Sequence, residues 1–163
     1  MQYSDQISHS IPYSSQRFNL IQRVDHKALN KIDDLQNEKI AVVESLYTSQ
    51  VLKIVLPNAQ FKPFPTREAA LIAVAKGTAD VFIGSPLASA FTIKQQQLAN
   101  LTATPVINFP AKEELSFAVI SDNSGLLTLL NRALSSIPTS QLDGIYGKWS
   151  KIAFISGNNK EQI

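Results

Sequence analysis

The chain contains no cysteine, which removes disulfides, thiol nucleophiles and thiolate metal sites together. That absence fits a reducing cytoplasm and a cysteine-poor periplasmic protein equally. No run approaches the roughly 18 apolar residues of a membrane span. The first residues, MQYSDQISHSIPYSSQRF, lack a basic stretch followed by an apolar one, so no signal peptide is expected in them. Charge of one sign is also scarce: 15 Lys and Arg against 13 Asp and Glu leave a net charge of +2. Without a basic run or aromatic–basic interleaving, nucleic acid is not expected as a partner. His9 and His26 each lack a second ligand at metal spacing, so no metal and no cofactor are expected. The neighbours Asp33-Asp34 and Glu113-Glu114 point to opposite faces of an extended chain, which makes neither an acid/base pair.

What is present is a core's worth of apolar sequence, 44% of 163 residues, organised around Thr66 to Pro86. Ala70, Leu71, Val74 and Ala75 recur at helical spacing, Thr66 can cap the first turn, Glu68 suits its positive end, and Gly77 stops the helix. Val81-Phe82-Ile83 then reads as a central parallel strand covered on both faces. In an open α/β sheet ligands bind beyond the carboxyl ends of such strands, which directs attention to Gly84 through Ala88.

The rest alternates in the same way. Residues 1 to 16 suit an extended connector, Phe18 to Arg23 a short strand, Lys27 to Leu35 a helical turn, and Lys39 to Val43 a second buried strand. A polar turn, Glu44 to Ser49, leads into a helix from Gln50 to Leu56. Gln60 to Pro65 is an edge strand blunted by two prolines, Ala88 to Leu98 a helix, and Leu101 to Phe109 extended. This order predicts an α/β fold with a small parallel-type sheet. After Glu114 come one apolar strand, Leu115 to Ile120, and two helices, Leu126 to Ile137 and Gln141 to Trp149. One strand and two helices lack a sheet of their own.

The succession IPY (11–13), DDLQNEKIAVVES (33–45), REAALIAVAKGTADVFIGS (67–85), ELSFAVISDNSGLLTLLNRALSSI (114–137) and IYGKW (145–149) resembles the periplasmic solute-binding proteins of family 3, with the type 2 periplasmic-binding-protein fold. More closely it is similar to the Venus-flytrap sensor domains of hybrid histidine kinases of the BvgS/EvgS class. The resemblance implies two lobes closing on a small ligand. Residues 1–17 would be the inbound hinge, 18–101 lobe 2, 102–113 the returning hinge, 114–150 the C-terminal part of lobe 1, and 151–163 a tail. The first part of lobe 1 would be missing, leaving apolar surface on Leu115 to Ile120 and the last helix open to a second copy.

The same resemblance implies a non-catalytic, periplasmic ligand-sensing or solute-binding module. Its partner would be a small molecule, an amino acid or another small organic anion, with membrane contact only through regions outside this chain. Ser45, Tyr47, Thr48, Ser85 and Tyr13 are the candidate ligand contacts. Ser85 stands where the family places an Asp for an amino acid's ammonium, and Ser45-Leu46-Tyr47 replaces its Gly-Thr-Thr-like turn. An ammonium without a counter-charge costs several kcal/mol on desolvation, which favours an uncharged or anionic ligand. The rivals are an enzyme on the same fold, a dehydratase or lyase-associated domain, and a structural module that binds no ligand.

Overall fold

A computed structural model describes residues 6–150 of the chain. The tail 151–163 and the side chain of Trp149, a residue of the kind that anchors a core, lie outside the described residues. The chain divides into two compact units, one comprising 6–16 and Glu113–Lys148, the other Arg17–Lys112.

The larger unit is built on five strands: β3 (Asn19–Arg23), β4 (Lys39–Val42), β5 (Gln60–Pro63), β6 (Val81–Gly84) and β7 (Leu101–Pro105). They lie in the order β5-β4-β6-β3-β7, so the expected central strand is central. The sheet is mixed, however. β4 runs parallel to β5 and β6, whereas β3 pairs antiparallel with both β6 and β7. An apolar strand looks the same in either direction, so hydrophobic pattern alone does not reveal this reversal.

Alternation along the strands feeds two cores. Leu20, Ile40, Val42, Val81 and Ile83 face one side, where Leu52 and Leu56 of the α1 region (Tyr47–Val55) cover them. Ile21, Ala41, Val43 and Phe82 face the other, against Ala70, Leu71 and Val74 of α2 (Arg67–Ala75). Thr66 caps α2 by accepting the Ala69 N–H at 3.1 Å. Gly77, at φ +75°, takes the left-handed turn that ends it. α3 (Pro86–Gln95) starts two residues earlier than its apolar pattern suggests, because a proline is well accommodated in a first turn. α1 likewise begins at Tyr47, inside the stretch read as a polar turn.

The smaller unit contains β1 (Ile7–His9), β2 (Ser14–Arg17), β8 (Lys112–Leu115), β9 (Ala118–Ile120), α4 (Ser124–Ser135) and α5 (Thr139–Ser150). β1 pairs antiparallel with β9 and β2 pairs with β8. The expected connector is therefore two strands, and the expected single strand 115–120 is broken at Ser116-Phe117. There Ser10 supplies the pairing, donating its N–H to the Phe117 carbonyl and accepting the Phe117 N–H on its hydroxyl.

Candidate functional site

Three helices of the larger unit start where three parallel strands end. α1 follows β4, α2 follows β5 and α3 follows β6. Since these strands are adjacent and parallel, the connecting turns and helix amino ends lie along one edge of the sheet. Each helix brings first-turn N–H groups with no intrahelical acceptor and the positive end of its dipole. α2 and α3 are capped by side chains, Thr66 and Ser85, the latter accepting from Ala88 N–H at 3.4 Å. α1 is not, because its cap position is Leu46.

Four of the five candidate residues share this edge. Ser45 is exposed in the turn, Tyr47 opens α1 with its side chain in solvent, and Thr48 and Ser85 are buried. Tyr13 belongs to the smaller unit, where its N–H donates to the Leu115 carbonyl at 2.9 Å. Its ring packs 5.0 Å from that of Phe117. Ser49 accepts the Val43 N–H at 3.0 Å, which spends its hydroxyl on locking the turn. Glu44, exposed nearby, lies 3.7 Å from Lys53, a solvent-screened pair worth little.

Sequence reasoning missed two residues here. Among the described residues, three buried side-chain polar atoms have no hydrogen-bond partner: Thr48 Oγ1, Arg67 Nε and Ser89 Oγ. Each sits in the opening turns of α1, α2 or α3, on the same edge. A buried polar group left unpaired costs on the order of 1–3 kcal/mol. Three such atoms along one edge single it out as the candidate site among the described residues. The available signal was position, since both residues lie just past the end of a parallel strand. Gly84, which closes β6, keeps Ser89 in place: a Cβ there would lie 2.5 Å from Phe82 Cε1 and 3.0 Å from Ser89 Oγ.

At the opposite edge, His26 is not the isolated histidine its sequence neighbours suggest. Its Nε2 lies 3.2 Å from Glu38 Oε2, and Asp80 completes the group. Asp80 accepts the Lys39 N–H at 2.9 Å.

No family model matches the chain. It is 30% identical over 147 residues to the virulence sensor protein BvgS of Bordetella bronchiseptica, a match taking in 90% of this chain. The chain is homologous to BvgS. It spans 12% of that protein's length. The BvgS protein of Bordetella pertussis matches over the same share at 29% identity. Among solved structures, the periplasmic VFT2 domain of B. pertussis BvgS superposes with a TM-score of 0.70 at 22% identity, over 90% of this chain and 62% of that one. An ancestral cationic amino acid solute-binding protein superposes with a TM-score of 0.71 at 22% identity, over 91% and 64%. The fold is therefore the Venus-flytrap, type 2 periplasmic-binding-protein fold expected above. These structural neighbours are binding and sensor domains rather than enzymes.

Proposed function

We propose that this chain is a non-catalytic, periplasmic ligand-sensing module, part of a longer sensor of the BvgS kind, and that it binds a small organic anion at the carboxyl edge of β5, β4 and β6. The three unpaired atoms, Thr48 Oγ1, Arg67 Nε and Ser89 Oγ, carry this reading. All three can donate a hydrogen bond, and Arg67 adds a positive charge suited to a carboxylate. The uncapped amino end of α1 adds backbone donors and a favourable dipole. Ser45, Tyr47 and Ser85 lie on the same edge and are the further ligand contacts of this reading. Ser85 gives an ammonium no carboxylate, so an anion lacking an amino group fits better than a zwitterionic amino acid. Homology to BvgS supports the sensing role and the periplasmic setting. Ligand binding would act by favouring one of two conformations, to the extent that the ligand binds them unequally.

The test is thermal-shift screening of the full chain against small carboxylates and amino acids, with Thr48→Val beside the wild type. Carboxylates should raise the melting temperature, and the variant should lose most of that rise while melting unliganded at or above the wild-type temperature. A variant that melts lower without ligand would show the hydroxyl to be structural. A panel producing no shift would favour the structural module, and turnover would favour an enzyme.

A further inference from the structure

The His26, Glu38 and Asp80 side chains meet at the amino edge of the sheet, where β4 and β6 begin and the antiparallel β3 ends. About 13 Å of strand, four residues at 3.3 Å each, separates this edge from the proposed ligand site. We propose that these three residues form a binding site for a zinc-class divalent transition-metal ion. Their donor atoms all lie within 4.8 Å of one another. The His26 Nε2 to Glu38 Oε2 separation of 3.2 Å matches the edge of a tetrahedron drawn with bonds of about 2.0 Å, the length zinc makes to imidazole nitrogen and carboxylate oxygen.

The surrounding contacts orient each ligand as a metal centre requires. His26 Nδ1 lies 3.1 Å from the Lys27 carbonyl oxygen, so a hydrogen there is donated to the backbone. In the neutral ring that leaves the Nε2 lone pair directed at a carboxylate, an arrangement that invites a cation between them. Glu38 turns Oε2 toward the histidine, while its Oε1 lies 2.6 Å from the exposed Lys27 Nζ. Asp80 Oδ2 is fixed by the Lys39 N–H at 2.9 Å, leaving Oδ1 with a loose 3.8 Å contact to Arg23. Asp80 thus keeps one oxygen anchored by the backbone and one available, and Glu38 keeps Oε2 available. The three side chains are 6 to 18% exposed, enough shelter to strengthen coordination and enough access for an ion to enter. One nitrogen and two oxygens leave a fourth tetrahedral position for water or an outside group. Imidazole in the set disfavours magnesium and calcium.

Two cations compete with the metal. Arg23 is tied down, its Nη1 donating to the Val74 and Ala79 carbonyls at 2.9 and 3.0 Å. Lys27 is not: its side chain is 64% exposed and can swing into solvent. Removing Lys27 should therefore tighten metal binding, an effect opposite in sign to removing a ligand. Isothermal titration of the full chain with zinc, after chelator treatment, tests the site against His26→Gln and Lys27→Met. The expected result is saturable binding weakened at least about tenfold by His26→Gln and strengthened by Lys27→Met, both variants keeping a cooperative melt. Absence of saturable binding would overturn the proposal. So would zinc binding indifferent to His26→Gln, which would point to His9 or the surface, or binding weakened by Lys27→Met.

Discussion

Gly84 shows how one missing side chain shapes the carboxyl edge. Any Cβ there would collide with Phe82, which is 1% exposed and has no room to retreat, and would press on Ser89. Gly84→Ala should therefore destabilise the protein by about 1–3 kcal/mol, the usual cost of overpacking a core, measurable by denaturant unfolding. It should also displace Ser89 and weaken ligand-induced shifts more than stability alone requires. At the opposite edge, the hydrogen bond and the negative charge of Glu38 hold the Lys27 amine above its ordinary value of 10.5. Folding thus favours the protonated amine, so this stabilisation is complete below that value and is lost as pH rises through the folded-state one. In metal-free buffer, the stability gap between wild type and Lys27→Met should be constant from neutral pH to about 9 and narrow above about 10.5. A gap unchanged at pH 11.5 would mean that the pair contributes nothing.

At the scale of elements, α2 and β6 are legible because each carries its own signals. Thr66 and Gly77 bracket the helix, and Val81-Phe82-Ile83 has no polar interruption. Removing the cap with Thr66→Ala should cost about 1 kcal/mol, read as a lower denaturation midpoint at unchanged slope. The direction of β3 is not legible, since reversing a strand leaves its pattern of burial intact. That reversal brings His26 to the amino edge beside Glu38 and Asp80, so this cluster of three side chains is not legible in the sequence either. Ser45 and Ser85 could be assigned to one edge from strand–turn–helix order alone. Arg67 and Ser89 could not, because sequence does not reveal which buried donors lack an acceptor.

For the whole molecule, the open question of assembly turns on the smaller unit's apolar surface. α4 carries Leu126 and Leu129 yet buries none of its residues. Leu129 is 64% exposed, Ile120 of β9 69% and Ile145 of α5 57%. Isolated exposed leucines are ordinary, but several on neighbouring elements of one small unit are the pattern of a surface that gains by being covered. Covering each such side chain contributes about 1.5–3 kcal/mol before the entropic cost of association. In purified solutions of this chain a second copy is the available cover, so light scattering coupled to size exclusion should show mass rising with concentration. The double variant Ile120→Lys and Leu129→Glu should remain monomeric with a melting temperature within a few degrees of wild type at low concentration, since it removes no buried contact. A wild type that stays monomeric at high concentration would show that these side chains are tolerated in water and that self-association has no part in this module.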